Sequence, residues 1–367
     1  MSRLFILGNG YDIARRGDTG YENFKSWLKD HFIDNCDNQF YKDGTISFSN
    51  WNNVSELSKD IFKKLIITKN AEEEKHLNFQ TEEIEIQRKK LACAILFDSM
   101  RRIGDDATWK NFEEDLAKIP FDDIIDEFEK YNKTQEIKLK SMLGSPVSKE
   151  VDIVTAMPGV IVSLFVEWIN SLKPLSGRHN ECVFEKKIIK SICPDDVFII
   201  FNYTKTLEEI LKITDCSNIY HIHGIKDYPE TMVVGHNCKE KLIYLNCNNP
   251  LDSKDDYIAE TYEILYKNPE KVIQKNNDLC DKINNVTEIY EFGWSCSETD
   301  HDYIEKLAKF LKGKQCKLYL NDYENQGKNK MTQWVNYGFP RDLITFYIEE
   351  KNTIKMYLPG NEQMNKN

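Results

Sequence analysis

Four polar clusters in this chain each stand just after a short apolar run, and each holds residue types that can do chemistry. The first is Gly8-Asn9-Gly10-Tyr11-Asp12. Glycines there would let backbone amides approach a pyrophosphate, and a following helix start would favour the anion. A dehydrogenase fingerprint is not present, because its third glycine would fall on Ile13 and no acidic ribose binder follows nearby. Asp12 would repel phosphate unless it caps the short helix or meets a ribose. A plain tight turn accounts for the same residues equally well. The second cluster is Asn202-Tyr203-Thr204. Its neutral amide can hold sugar hydroxyls or place a water, or else simply cap the next helix.

The third cluster, His221-Ile222-His223-Gly224, puts two imidazoles at i and i+2, which in a strand share one side. His221 reads as a hydrogen-bonded core residue. His223, beside Gly224 at a strand end, reads as a general base near neutral pH. Gly224 allows a sharp exit and close ligand approach. A rival reading joins His221, His223 and His236 as a zinc site. No carboxylate has diagnostic spacing to them, and the metal reading ranks below the nucleotide one. The fourth cluster is Gly293-Trp294-Ser295, with Asp300 beyond it. Gly293 permits close approach and Ser295 can bind phosphate or ribose; as a cap, Ser295 or Ser297 needs no ligand. The GxSxG elbow is missing, which argues against a serine hydrolase. A fifth cluster, Trp109 to Leu116, places Trp109, Phe112 and Leu116 on one helical face with Glu113 adjacent. It reads as core packing rather than as a pocket.

These clusters need elements to position them. Residues 3–7 (RLFIL) stop at glycine and read as a buried strand. Further strands are expected at 197–201, 218–223, 286–292, 316–320, 343–348 and 354–358, with helices at 204–213 and from about 302 to 311. Strands alternating with helices predict a mostly parallel sheet of the α/β class. Between the first strand and the rest, helical patterns dominate: 57–67, 74–100 and 121–143. Thr19 and Glu22 have capping-box spacing, and Tyr21, Phe24, Trp27, Leu28 and Phe32 follow at helical intervals. The charged run 71–90 reads as a solvated helix face, residues 326–330 as a polar loop, and 360–367 as a frayed tail. The expected organisation is a core of 1–35 and 191–360, Rossmann-like, with a helical insertion at 36–190.

Bulk composition narrows the function classes. The 367 residues are 41% hydrophobic and 30% charged, which suits a globular chain with a sizeable core. A net charge of −11 disfavours broad nucleic-acid binding. The ten cysteines form no CxxC pair, so a zinc ribbon has no support. The opening residues carry no secretory signal pattern, and a reducing cytoplasm is the expected compartment. The apolar stretch 153–166 is shorter than the roughly 20 residues of a membrane span, so a buried helix or helix pair is expected there.

The ordered motifs GNGYD, TGYENF, WKNFEEDL, FNYTKTLE, HIHG, a GH pair and FGWSCSETDHDYI resemble the AbiH-type bacteriophage abortive-infection family. The resemblance runs from Gly8 to Tyr303 and departs at Arg15-Arg16-Gly17, where the family has histidine-glycine-leucine. More distantly, the layout is similar to sirtuin-type NAD-binding and NAD-hydrolysing proteins. The matching positions are Gly8 and Gly10, Asn202, His223-Gly224, and Gly293 with Ser295. Thr204 stands where those proteins have aspartate, Asn9 where they have alanine, and their four-cysteine module is missing. The resemblance implies a defence protein with NAD as substrate or ligand. Asn202 and His223 would then be catalytic, with Gly8, Asn9, Gly10, Asp12, Gly224, Gly293, Ser295 and Asp300 binding the nucleotide. It also implies a phage-derived trigger or partner protein. A non-catalytic nucleotide sensor and a metal-dependent phosphoesterase are the competing expectations.

Overall fold

The structure is a computed structural model describing residues 2–33, 55–74, 82–103, 109–134, 149–173, 175, 182–189, 192–213, 215–243, 254–350 and 352–360. Expectations for 75–81, 135–143 and the tail beyond 360 lie outside these residues. The chain forms two compact units: one of Met1–Gly20, Ile169–Val233 and Lys267–Asn367, the other of Tyr21–Trp168 and Val234–Tyr266.

The first unit is built on seven strands: β1 Ser2–Leu7, β2 Val197–Ile200, β3 Ile219–His221, β4 Val286–Phe292, β5 Lys317–Asn321, β6 Ile344–Glu350 and β7 Thr353–Tyr357. They lie in the order β3-β2-β1-β4-β5-β6-β7. Every neighbouring pair is parallel except β6 and β7. This is the α/β, Rossmann-like arrangement, and its topological switch point falls between β1 and β4. Alternation explains why β1 sits at the centre. Leu4 and Ile6 enter one core with Ile199, Ile289, Leu318, Leu307 and Trp334. Phe5 and Leu7 enter the opposite core with Phe198, Tyr290, Phe292 and Phe184. A strand apolar on both faces requires cover on both sides, which parallel crossovers supply.

The second unit is helical among the described residues. Phe24 is its aromatic centre, meeting Trp109, Phe112, Phe165 and Trp168 with ring centroids 5.1–5.9 Å away. Trp109 and Phe112 are themselves stacked, and both are buried with Leu116, as the core reading of that cluster expects. The helix Glu56–Glu74 joins the helix Phe121–Thr134 through stacked Phe62 and Phe128. The stretch Val151–Ser171 is long and apolar enough to cross a membrane by length and composition. Half of that window is buried, and Phe165 and Trp168 pack on Phe24 as a core helix does.

Three local expectations are corrected. Strand β3 stops at His221, and a Gly224 N–H to His221 carbonyl bond turns the chain there. Residues 326–330 are not a loop: the helix Gly327–Asn336 begins there, because Asp322 Oδ1 accepts the Gly327 N–H at 2.7 Å and Lys330 is buried against an acid. The capping box does not form. Glu22 Oε1 accepts the Trp109 N–H instead, and Thr19 Oγ1 is buried without a hydrogen-bond partner among the described residues.

At the switch point the loops after β1 and β4 touch backbone to backbone. Gly8 N–H donates to the Phe292 carbonyl at 3.0 Å and Gly10 N–H to the Gly293 carbonyl at 2.8 Å. A Cβ on Gly8 would lie 2.3 Å from Trp294 Cα, an impossible distance against backbone. Gly8→Ala should therefore lower stability by about 1–3 kcal/mol, read as a reduced urea midpoint with an unchanged slope. Gly159→Ala, with open space at its Cβ in a helix, should raise stability by about 0.5–1 kcal/mol, read as a higher midpoint. Equal effects from the two substitutions would refute the close-packing account.

Candidate functional site

All four clusters follow parallel strands β1 to β4, so the topology delivers them to one edge of the sheet. The helix Asn9–Arg16 starts directly after Gly8. Tyr11 Oη donates to Glu185 Oε1 at 2.7 Å and Arg15 Nε to the same atom at 2.9 Å, which fixes the helix on its outer side. Its first-turn amides are partly engaged: Gly10 N–H by Gly293, as described, and Tyr11 N–H by the Gly8 carbonyl at 2.9 Å. The glycines thus serve loop-to-loop packing. Asn9 is half-buried, its Nδ2 donating to the Thr19 carbonyl at 3.0 Å, and Ser295 is exposed.

Asp12 is the centre of the first buried group. It is 1% exposed. Asn202 Nδ2 donates to Asp12 Oδ1 at 2.8 Å, Thr204 Oγ1 donates to Oδ2, and Thr204 and Thr206 hydroxyls share a 2.7 Å bond. A carboxylate only accepts, so it must face the NH2 end of Asn202. That leaves Asn202 Oδ1 buried without a hydrogen-bond partner among the described residues. Burial pushes the Asp12 carboxyl up to about 6, against the opposing pull of Thr204, Thr206, Arg16 and Asn202. Asn202 is therefore not a helix cap. No side-chain cap bond starts the helix Thr206–Leu211.

His223 centres the second group. The turn after β3 breaks the alternation expected for the two histidines. His221 Nε2 meets Glu208 Oε1 at 2.7 Å, whereas His223 Nε2 lies 3.5 Å from Lys267 Nζ and 3.6 Å from Asp300 Oδ1. Aromatic rings enclose His223: Phe201, Tyr203 and Tyr303 at 5.2, 5.9 and 5.7 Å. Phe201 stacks on Trp294 at 4.4 Å, and Trp294 Nε1 donates to Asp300 Oδ2 at 2.8 Å. Burial, then the charge of Lys267, hold the His223 imidazole well below its ordinary value, so it is neutral at pH 7. Gly224, with φ +79°, sits where a side chain would strike the Thr231 carbonyl. The three histidines of the zinc reading have separate partners, since His236 Nδ1 accepts the Cys238 N–H at 3.1 Å. Among the described residues no set of three His, Cys, Asp or Glu side chains could hold a metal ion.

Sequence reasoning missed three charged residues at this edge. Lys267 is 1% exposed and gives no signal, being one lysine among many before an Asn-Pro helix start. Glu291 and Lys330 form a buried pair, with Nζ 3.0 and 2.9 Å from the two carboxylate oxygens. Glu291 also accepts the Trp294 N–H at 2.8 Å and the Asn321 N–H at 3.1 Å, which shapes the turn after β4. A glutamate inside the apolar run of β4 was the one readable hint.

Asp12 and His223 have opposite pH signatures. Asp12 holds its proton more tightly in the folded protein. Its contribution is greatest below its unfolded value of 3.8 and is lost as pH rises through about 6. The contribution of neutral His223 is present above its unfolded 6.5 and is lost as pH falls below that. In Asp12→Asn only the first term disappears. The stability of the variant relative to the parent should rise between pH 4 and pH 7 by up to about 3 kcal/mol. Urea titrations at each pH measure this, and a difference that stays flat would refute the buried-carboxylate account.

Comparison with known proteins finds a match to the family model for bacteriophage abortive infection AbiH over residues 4–322. No curated protein matches the chain, and no solved structure does. The match takes in every cluster from Gly8 to Asp300, strand β1 from Leu4 on, and strands β2 to β5. The chain belongs to the AbiH family of bacteriophage abortive-infection proteins.

Proposed function

We propose that this chain, acting in the cytoplasm as an abortive-infection protein, binds NAD at the carboxyl edge of β1–β4 and hydrolyses its nicotinamide–ribose bond. Family membership supports the part in phage defence. One observation carries the NAD reading. At the β1/β4 switch point of a 3-2-1-4 parallel sheet, Asp12 turns the unpaired oxygen of buried Asn202 towards a donor that the described residues do not supply. A ribose hydroxyl or a water is such a donor. The sirtuin-type layout lends the reading its order of motifs, and Asp12 brings a carboxylate to the asparagine that Thr204 does not provide.

In this mechanism the C–N bond to nicotinamide breaks and the ring leaves neutral with the bonding pair. The ribose passes through an oxocarbenium-like state, and a water oxygen bonds to the anomeric carbon. Neutral His223 accepts the proton of that water or of a ribose hydroxyl. Asn202 orients the sugar or the water. Asn9 and Ser295 would hold phosphates and the second ribose, the turns at Gly8, Gly10, Gly224 and Gly293 would let backbone come close to them although the Gly8, Gly10 and Gly224 amides already bond carbonyls, and Asp300 orders the loop through Trp294. Catalysis rests on positioning and electrostatics.

A second reading, a non-catalytic nucleotide sensor answering a phage-derived trigger or a partner protein, is favoured by one fact. Asn202, His223 and Asp300 are at most 6% exposed, so ligand entry must change the packing of these loops. The assay is release of nicotinamide from NAD by purified protein, with and without infected-cell extract. The NAD reading expects product, and a loss of about 10²–10⁴-fold in His223→Ala and a comparable loss in Asn202→Ala. Saturable NAD binding by folded, triggered protein without any nicotinamide would replace it with the sensor.

A further inference from the structure

Lys267 is an ammonium with no exposed side-chain surface, in a unit where sequence analysis assigns it nothing. Its Nζ lies 3.5 Å from each of three groups: His223 Nε2, Asp300 Oδ1 and Thr299 Oγ1. Thr299 is tied in turn to Ser297 at 2.8 Å, and Asp300 to the Trp294 indole. A buried lysine is tolerated only with such partners, because losing water costs an isolated charge several kcal/mol. Three loops therefore meet on one cation: the turn after β3, the segment before the helix Pro269–Lys275, and the loop after β4.

We infer that Lys267 is a positioning residue of this site: held by Asp300 and Thr299, its ammonium donates to His223 Nε2 and fixes the imidazole as the neutral tautomer with its one proton on Nδ1. Asp300 Oδ1, 3.6 Å from the same nitrogen, would favour the opposite tautomer, and the ammonium at 3.5 Å opposes it. An ammonium has three donors and no acceptor, so a ring nitrogen facing it must offer a lone pair. The Phe201 backbone also favours a proton on the ring nitrogen that faces it. Among the described residues, the charged and titratable groups around the ring are Lys267, Asp300 and the phenols of Tyr203 and Tyr303. Of these only Lys267 is cationic, and it opposes a second proton on the imidazole. Through the NAD reading, on which this catalytic consequence rests, Lys267 keeps His223 unprotonated at pH values where a free histidine is charged, and the ammonium must give up Nε2 before that lone pair can take a proton from water or a ribose hydroxyl.

The test separates the tautomer from the reaction. In 15N NMR of the wild-type full-length chain at pH 7, the His223 signal, identified by its loss in His223→Gln, should show Nδ1 protonated and Nε2 bare. In Lys267→Met the imidazole should titrate about one pH unit or more higher than in the parent. Lys267→Arg, which keeps the charge, should leave it neutral into the acid range. An Nε2–H tautomer or an imidazolium in the wild-type protein overturns the inference, as does an unmoved titration in folded Lys267→Met. Should Lys267→Met fail to fold, the wild-type tautomer decides alone. The acid limb of nicotinamide release should move with the His223 titration in Lys267→Met. A shifted titration with no nicotinamide at any pH would sink the NAD reading and leave the role of Lys267 standing.

Discussion

The direct contact between the loops after β1 and β4 is the constraint on which the rest of this edge depends. Gly10 N–H on the Gly293 carbonyl leaves no room for side chains between the two turns. The helix Asn9–Arg16 is thereby set at a fixed height over the sheet, which sinks Asp12 to where Asn202 and Thr204 can reach it. On the other side, the same contact seats Trp294 on Phe201 and so forms one wall of the His223 surround. A nucleotide-binding fingerprint and a packing device use the same residue type here, because both need backbone to approach closely.

Buried charge is concentrated at this edge to a degree that stability does not require. Asp12, Lys267 with Asp300, and Glu291 with Lys330 are all nearly inaccessible. Replacing such pairs by apolar residues is often neutral or stabilising, whereas removing one partner is costly. The Glu291–Lys330 pair has a structural account, since its carboxylate also holds the Trp294 and Asn321 amides and its carbonyl takes the Tyr347 hydroxyl at 2.6 Å. The Asp12 and Lys267 groups instead govern the state of one other side chain each: the orientation of an amide and the protonation of an imidazole.

The sheet was legible in the sequence because its strands are short apolar runs ended by glycine or polar residues. β1, β2, β4 and β5 were located within a residue or two, since nothing competes with burial there. The face of His223 was not legible: a strand pattern predicts both histidines on one side, and a single turn bond at Gly224 moved the second away. Lys330 was misread because QGKNK has loop composition, and the distant Glu291, with the Asn321 carbonyl, makes a buried lysine tolerable. Asp12 was recognised as anomalous, but its explanation lies in Asn202, 190 positions away. Pairings of that range follow from strand order, which local patterns do not encode.

Strand β1 is flanked by β2 and β4, whose residues begin at 197 and 286. During synthesis, then, the apolar strand β1 has neither neighbour until β2, beginning at residue 197, has left the ribosome. At roughly 5–20 residues per second that interval is on the order of ten seconds or more. Over that time an apolar segment without its sheet partners is open to aggregation unless it is shielded. A product ending before β4 holds Asp12, Asn202 and His223 but lacks the Gly293 carbonyl that meets Gly10 and the Trp294 ring that stacks on Phe201. Whatever activity resides there is therefore withheld until the loop after β4 has been made.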